Sequence, residues 1–170
     1  PEERMHDGVI QDFSIAENII LQDHGRKPFS KGIFLDFKAI AKRSQQLVDE
    51  FRVKTPSIDT PIKSLSGGNI QKVILAREIN TTPKVIVAVQ PTRGLDVGAV
   101  EAIQRHLLAQ RLAGTAILLM SEELEELFAL SDRIAVIYGG KLMGIVEPEE
   151  YDIGEIGLMM TGTPRANLQS

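Results

Sequence analysis

The spacing of apolar residues indicates that the first part of the chain is built from helices. Ser14-Ile15-Ala16-Glu17 has the capping-box pattern that opens a short helix. Asp36 precedes a longer amphipathic pattern, which predicts a helix capped by this aspartate. The apolar face of that helix is expected to carry Phe37, Ile40, Ala41, Leu47, Val48 and Phe51. Glycine and proline mark loops at 22–34 and 56–61, so residues 1–64 are expected to contain helices and no strand.

A different rhythm begins at residue 84, where runs of β-branched and other apolar residues alternate with helical patterns. Strands are predicted at 84–89, 115–120, 133–138 and 141–146, and helices at 97–113, 122–130 and 151–160. The continuous run at 84–89 is typical of a strand buried on both faces. Gly114 is the expected C-terminal cap of the helix at 97–113, and Gly139-Gly140 is the expected turn of a hairpin. Strands that alternate with helices pair in parallel, so a parallel sheet with a terminal antiparallel strand is expected.

Composition restricts the classes of protein to which this chain can belong. Its 170 residues are 43% hydrophobic and 25% charged, which is typical of a soluble globular domain with a real core. There is no cysteine, so disulfides and thiolate chemistry are excluded. A net charge of −4 gives no electrostatic reason to expect nucleic acid as a partner. No apolar run approaches the roughly 18 residues that span a bilayer. The chain opens at Pro1 without an initiator methionine, from which we expect a fragment of a longer protein.

The stretch Leu65-Ser66-Gly67-Gly68-Asn69 opens a helical pattern that ends near Asn80. Ser66 is a suitable N-cap, and the two glycines leave the first backbone N–H groups open to close approach, as in an anion site. For Ser-Gly-Gly alone, an ordinary capped helix after a loop is the favoured explanation. The longer string, continuing through Gln71-Lys72-Val73, closely resembles the signature motif of ATP-binding cassette (ABC) ATPases. The resemblance implies that Ser66, Gly67, Gly68 and Asn69 contact the γ-phosphate of an ATP held by a different nucleotide-binding domain.

A second stretch, Gln90-Pro91-Thr92-Arg93-Gly94-Leu95-Asp96, resembles the Pro-Thr and Leu-Asp segments that follow a buried strand in the same family. The family ends that strand in an aspartate that steers Mg²⁺ and a glutamate that polarises the attacking water. Val89 and Gln90 stand at these positions here. Valine cannot organise a hydrated Mg²⁺, and glutamine cannot accept a proton, which removes a general-base contribution of about 10²–10⁴-fold. The resemblance gives Asp96 the role of coupling two nucleotide sites. Without the family, residues 85–89 are simply a core strand.

Three other positions of the family motifs are altered or absent. Glu122 takes the place of the histidine that senses the γ-phosphate, although a solvated residue near a helix N-terminus is the simpler interpretation. No Gly-x-x-x-x-Gly-Lys-Ser/Thr sequence occurs, so the chain contains no phosphate-cradling P-loop motif. Glu2 or Glu3 would replace the glutamine that links nucleotide to the membrane partner.

The remaining titratable residues need no ligand to explain them. The three histidines, His6, His24 and His106, are scattered and are interpreted as surface residues. The acidic run Glu122, Glu123, Glu125 and Glu126 is expected to form a solvated helix face.

The resemblance covers the chain from Pro1 to about Gly162 and is most specific for the second ATPase half of tandem-cassette importers of simple sugars and nucleosides. It implies an α/β fold: part of a RecA-like P-loop NTPase core plus an α-helical subdomain. The helical subdomain would span residues 1–82, the core 83–162 and a tail 163–170. The chain would donate its signature to ATP held by a partner cassette, in the same polypeptide or a second copy. ATP and Mg²⁺ would belong to the full assembly, and the chain alone would be inactive.

The same resemblance implies partners and a location. Transmembrane permease subunits would contact the loop at 22–34 and the helices near it, with a substrate-binding protein acting indirectly. The chain would be a soluble, peripheral protein at the cytoplasmic face of the cell membrane. If neighbouring strands of its sheet are missing, a homodimer of the fragment would cover the exposed apolar surface.

Two alternatives come from other classes of protein. One is a non-transport ABC protein of DNA repair or ribosome function. The repair type inserts a long coiled coil before the signature, and residues 1–64 contain no heptad run. The ribosomal type tends to carry basic linkers, against the acidic balance here. The other alternative is a structural pseudo-ATPase, which differs from the first interpretation only if the signature is idle.

Overall fold

The computed structural model describes residues 8–150 and 152–164, which form two compact units that divide between Leu118 and Leu119. Glu2, Glu3, His6, Tyr151 and residues 165–170 lie outside the described residues, so the expectations for them stay predictions. The first unit contains helices α1 (Ile15–Ile19), α2 (Phe37–Glu50), α3 (Gly67–Asn80) and α4 (Val97–Leu112), and strands β1 (Ser30–Lys31), β2 (Phe34–Leu35) and β3 (Val85–Val89). Strand β4 (Ala116–Met120) crosses the division. The second unit contains α5 (Leu124–Leu130), β5 (Ile134–Tyr138), β6 (Lys141–Val146) and α6 (Ile153–Met160).

The core of the first unit lies between its helices. Helix α3 packs against α1, α2 and α4, and α1 also packs against α2. The side chains that fill this core are fully buried: Ile15, Ile19, Leu47, Phe51, Ile62, Val73 and Ile103. Removing these apolar side chains from water is the main favourable term that holds the four helices together.

The predicted helix ends are confirmed by their hydrogen bonds. Ser14 and Glu17 form the complete capping box, in which each side chain accepts from the other residue's backbone N–H. Asp36 caps α2 by accepting from the Ala39 N–H at 3.1 Å. Gly114, with φ +91°, follows α4 and donates to the Arg111 carbonyl at 2.9 Å. These short-range devices form as predicted because each depends only on residues within one turn.

The apolar face of α2 differs from the prediction at two positions. Phe37 is 74% exposed and Ala41 is exposed, whereas Ser44 is fully buried beside Ile40 and Leu47. Ser44 lies one turn from both of these residues and so falls at the centre of the buried face, while Ala41 lies at its edge. Phe37 is the first residue of the helix, at the end of that face.

The strands form three two-stranded sheets, β1–β2, β3–β4 and β5–β6. Residues at the start of β3 and β4 lie side by side, since the Ala116 N–H donates to the Lys84 carbonyl at 3.0 Å, as in a parallel pair. Strands β5 and β6 form the predicted antiparallel hairpin, and Gly139 and Gly140 both have positive φ at its turn. Positive φ at both positions is what a two-residue hairpin turn requires.

Two predictions about strands are wrong. The hairpin β1–β2 lies within residues 1–64, which were expected to contain no strand. Each of its strands has two residues, too few to show an alternating pattern, and Gly32 supplies the turn with φ +67°. Strand β3 was expected to be buried on both faces, but Val85 and Val87 are 61% and 62% exposed. An apolar run shows only that both faces suit burial, and it does not show what covers them.

The second unit has its own small core. Ile134, Val136 and Val146 of the hairpin pack with Ile156 and Met159 of α6. Helix α6 begins with a capping box between Asp152 and Glu155. None of the helices within the described ranges is both long enough and apolar enough to cross a lipid bilayer.

The acidic run in this unit was predicted to form one solvated helix face, and this prediction is wrong. Glu122 and Glu123 precede α5 and are exposed, and Glu125 is exposed within it. Glu126 is only 4% exposed, and its carboxylate oxygens have no hydrogen-bond partner among the described residues. Successive helical residues are about 100° apart around the axis, so neighbouring glutamates face different surroundings.

Candidate functional site

The N-termini of α3 and α4 meet at a cavity of about 330 Å³ in the first unit. Four of the five residues predicted to contact nucleotide line it: Ser66, Gly68, Asn69 and Asp96. The fifth, Gly67, begins α3 and is exposed. The structure therefore brings two motifs that are about 30 residues apart in sequence to one place. The first N–H groups of a helix have no partner within the helix, so two such ends at one cavity favour an anion.

Gly68 is required by the close approach of the two helices. A Cβ atom at this position would lie 3.1 Å from the Ala99 Cβ and 3.4 Å from Asp96 Oδ2. The first of these distances is shorter than an ordinary carbon–carbon contact. A side chain here would require Ala99 to give way by a few tenths of an ångström, so a glycine suits the close approach of α3 and α4.

Ser66 is the N-cap residue of α3 by position, but its hydroxyl accepts no backbone N–H. The side chain of Asn69 occupies it instead, because Asn69 Nδ2 donates to Ser66 Oγ at 2.9 Å. The prediction of an ordinary side-chain cap is therefore wrong. Since Oγ accepts from Asn69, its own O–H remains able to donate into the cavity. The exposed Ser66 hydroxyl thus presents a donor to an incoming anion.

Asn69 is a positioning residue as well as a lining residue. Its Oδ1 accepts the Lys54 N–H at 2.8 Å, while its Nδ2 holds Ser66. One amide thereby connects the loop after α2 to the signature. The sequence predicted that Asn69 lies in the site, and it gave no indication of this bridge.

Asp96 is the N-cap of α4 and accepts the Ala99 N–H at 3.0 Å through Oδ1. The remaining oxygen, Oδ2, points toward the position where Gly68 lacks a side chain. A carboxylate between two helix N-termini is favoured by both dipoles. This arrangement agrees with the role that the resemblance gives to Asp96, which stays a prediction.

Four cationic side chains also line the cavity, and sequence analysis did not identify them as functional. These cavity cations are Arg52, Lys54, Lys72 and Arg105. They come from the loop after α2, from α3 and from α4, so no sequence motif joins them. Of these four cations, only Lys72 lies within a recognisable sequence motif, the signature string.

Arg52 occupies a backbone position that glycine usually fills. Its φ is +51°, and it follows Phe51, the C-cap of α2. The Val53 N–H donates to the Val48 carbonyl at 2.9 Å and the Arg52 N–H to the Asp49 carbonyl at 3.2 Å, which is a Schellman motif. A non-glycine residue in this conformation costs about 1–2 kcal/mol. An arginine is thus held at the cavity in spite of a local preference for glycine.

The altered positions lie outside this cavity. Val89 ends β3 and Gln90 follows it with φ +47°, a left-handed conformation at the start of the turn that leads to Asp96. Glu122 belongs to the second unit and is exposed. No group of three or more histidine, aspartate or glutamate residues in the described ranges is arranged to hold a metal ion.

His24 is exposed, as predicted, whereas His106 is half-buried. The His106 ring stacks on Phe51 with centroids 3.9 Å apart and planes 11° apart. Burial lowers the pKa of His106 below its usual 6.5, because desolvation disfavours the imidazolium. Arg105 and Lys72 also lower this pKa, and Glu50 acts against them.

The chain is similar in sequence to ATP-binding proteins of importers. It is 47% identical over 163 residues to the guanosine import ATP-binding protein NupO of Bacillus subtilis, covering 96% of this chain and 32% of that protein. The nucleoside import protein NupA of Lactococcus lactis is 46% identical, and the ribose import protein RbsA of Hahella chejuensis is 38% identical. These last two matches each cover 95% of this chain, and all three cover 32% of the relative, so the chain spans about a third of their length. No family model matches the chain.

Solved structures agree in fold. A dimeric ATP-binding cassette in a post-hydrolysis state, bound to ADP and phosphate, aligns with a TM-score of 0.65 at 20% identity. A second dimeric structure, of a bacterial ABC transporter cassette, aligns with a TM-score of 0.66 at 21% identity. Each alignment covers 82% of this chain and 59% of the cassette. The expected α/β fold, part of a RecA-like cassette core with helices, is thus confirmed. By sequence and by fold, the chain belongs to the ATP-binding cassette family.

Proposed function

We propose that this chain is part of the ATP-binding subunit of a bacterial importer of nucleosides or simple sugars. Its role is to present the signature motif to an ATP held by a partner cassette. The observation that carries this proposal is the cavity that joins Ser66, Gly68 and Asp96 at two helix N-termini. The identities of 47% and 46% to nucleoside importers, against 38% to a ribose importer, support the nucleoside branch.

The described residues suit the terminal phosphate of ATP. The Ser66 hydroxyl has a proton to donate, because Asn69 already occupies its acceptor side. The unpaired N–H groups at the start of α3 add further donors. Hydrogen bonds to a charged group contribute roughly 1.5–3 kcal/mol each, enough to clamp two cassettes around a bound nucleotide.

The chain is not suited to hydrolyse ATP by itself. The sequence contains no P-loop motif to hold the nucleotide. Val89 offers no oxygen to Mg²⁺, and Gln90 cannot act as a general base. Mg²⁺ therefore does not fit the residues present here, and hydrolysis is assigned to the partner site of the full assembly.

An exposed apolar cluster supports contact with permease subunits. Ile33 and Phe34 of the β1–β2 hairpin are 92% and 72% exposed, and Phe37 lies close behind them in sequence. Exposed apolar residues of this size commonly mark interaction sites. They fall at the end of the 22–34 loop, where the resemblance implies contact with the transmembrane partner. The proposal therefore places the chain at the cytoplasmic face of the membrane, as a peripheral component.

The proposal is tested by exchanging this chain for the matching third of the guanosine import protein and measuring guanosine uptake by cells. Ser66→Arg is expected to abolish uptake, because the bulky cation fills the place of the phosphate. Gln90→Ala should leave most of the uptake, since Gln90 has no role in proton transfer. Ser64→Arg is the matched control, because Ser64 is exposed and does not line the cavity.

The opposite pattern, in which Ser66→Arg is tolerated and Gln90→Ala abolishes uptake, would defeat this division of labour. Tolerance of both substitutions would identify an idle signature and a structural pseudo-ATPase.

A further inference from the structure

The cavity beside the signature carries an excess of positive charge. Among the described residues that line it, four cationic side chains face a single carboxylate, Asp96, which is an excess of three positive charges. None of the cavity cations forms an ion pair within the described ranges. Cations gathered around one cavity without partners repel each other, and an anionic ligand relieves that repulsion.

Two hydrogen bonds hold the loop that carries Arg52 and Lys54 against α3. The Lys54 N–H donates to Asn69 Oδ1 at 2.8 Å, which ties the loop after α2 to α3. Lys72 Nζ lies 3.3 Å from the Arg52 carbonyl and donates to it, so the same loop is joined to α3 at a second point. The guanidinium groups of Arg52 and Arg105 have no hydrogen-bond partner in the described part of the chain and remain available to a ligand.

The volume of the cavity indicates how large an anion it can hold. At roughly 30 Å³ for each water-sized group, a cavity of about 330 Å³ accommodates on the order of ten heavy atoms. That exceeds a single inorganic phosphate and suits a chain of linked phosphate groups. Guanidinium groups bind phosphate oxygens in pairs, which suits two arginines at the same cavity.

We propose that the cavity cations form an oligophosphate-binding subsite next to the signature, beyond the contact of Ser66 with a terminal phosphate. The ligand is defined by its chemistry, a chain of linked phosphates. Its source is either the triphosphate of a nucleotide or free inorganic polyphosphate in the cell. The assignment of ATP as the natural source rests on the proposed function.

The test is isothermal titration calorimetry of the 170-residue chain with tripolyphosphate, at constant ionic strength. The wild-type chain is expected to bind tripolyphosphate. Arg52→Gly and Arg105→Gln are each expected to weaken binding by about threefold to tenfold, as for loss of one partly exposed charge contact. Lys42→Gln is the matched control, since Lys42 is an exposed lysine of α2 outside the cavity.

Arg52→Gly is informative because it removes the charge at a position where glycine suits the backbone. The variant should keep at least the thermal stability of the wild type, so weaker binding cannot be attributed to unfolding. Thr82→Gly provides the second control, because Thr82 also has positive φ, +46°, and follows α3 away from the cavity. Thr82→Gly should leave tripolyphosphate affinity unchanged.

Absence of tripolyphosphate binding by the wild-type chain would overturn the subsite, and so would equal weakening by Lys42→Gln. A titration with ATP identifies the source, since a nucleotide triphosphate that is the natural ligand should bind at least as tightly as tripolyphosphate. Uptake that survives Ser66→Arg while tripolyphosphate binding depends on Arg52 would defeat the proposed function and leave the subsite intact. Loss of uptake in Ser66→Arg, together with an absence of tripolyphosphate binding by the wild-type chain, would overturn the subsite and leave the proposed function intact.

Discussion

Three non-glycine residues in the described part of the chain have left-handed backbone conformations: Arg52, Thr82 and Gln90. Arg52 and Thr82 each follow the C-cap of a long helix, the position where glycine is preferred. Gln90 begins the turn after β3, at the position where the resemblance predicts the family's catalytic glutamate. Strained residues that persist tend to lie at functional sites. Arg52 lies at the cavity and fits that tendency, whereas Gln90 and Thr82 are not among the residues that line it.

Thr82→Gly is therefore expected to stabilise the chain by about 1 kcal/mol, since it removes a β-branched side chain from a left-handed position. The measurement is the free energy of unfolding in denaturant. Thr81→Gly is the matched control one residue earlier, where φ is −79° and Oγ1 donates to the Glu78 carbonyl at 2.9 Å. That control should lose about 1 kcal/mol. Equal effects of the two substitutions would refute the argument from backbone strain.

At this scale the sequence identified the residues of the signature and missed how they are connected. Ser66 and Asn69 were both placed at the site, but the bond between them was not foreseen. Likewise, Arg52 and Lys54 reach the cavity because α2 ends beside α3, a fact of tertiary packing. A motif records which residues occur in order along the chain and carries no information about neighbours from distant segments.

Helices were predicted more reliably than strands because their ends are fixed by local hydrogen bonds. The caps at Ser14, Asp36 and Gly114 each involve residues within a few positions. The exposed face of β3, by contrast, depends on what covers it. A run such as Val85–Val89 shows suitability for burial on both faces and leaves open whether a neighbour is present.

The contact between the end of α2 and the middle of α4 predicts a dependence of stability on pH. Burial against Phe51 lowers the pKa of His106 below 6.5, so near that pH the folded chain binds fewer protons at this site than the unfolded chain. Stability contributed by neutral His106 is thus present above pH 6.5 and is lost as pH falls below it. Glu50 opposes this shift, and the cavity cations Arg105 and Lys72 reinforce it.

We expect the free energy of unfolding to decrease as the pH is lowered from about 7.5 to about 5.5. His106→Phe preserves an aromatic stack and removes the titrating group, so the decrease should be smaller in this variant. Denaturant unfolding at the two pH values measures both quantities. An identical decrease in the wild type and in His106→Phe would show that His106 does not contribute.

The whole chain has a net charge of −4, yet its candidate site is positive. The net charge gives no electrostatic reason to expect a nucleic-acid partner, and that absence stays a prediction. It could not indicate that four cations converge on one cavity, since a sum over the chain does not record positions. The family, the fold and the signature were predictable from motifs, and the local electrostatic field needed the structure.

The division of labour proposed here is a property of the whole molecule, and the chain alone should not hydrolyse ATP. Phosphate release from Mg·ATP by the purified 170-residue chain should equal that of buffer. Gln90→Glu should not raise it, because a carboxylate at this position has neither a P-loop to hold the nucleotide nor a metal ligand at Val89. A contaminating ATPase would give turnover that Gln90→Ala leaves unchanged, so that variant is the control. Turnover that disappears in Gln90→Ala would instead show that the chain contains a working hydrolytic site, and the assignment of hydrolysis to a partner cassette would be wrong.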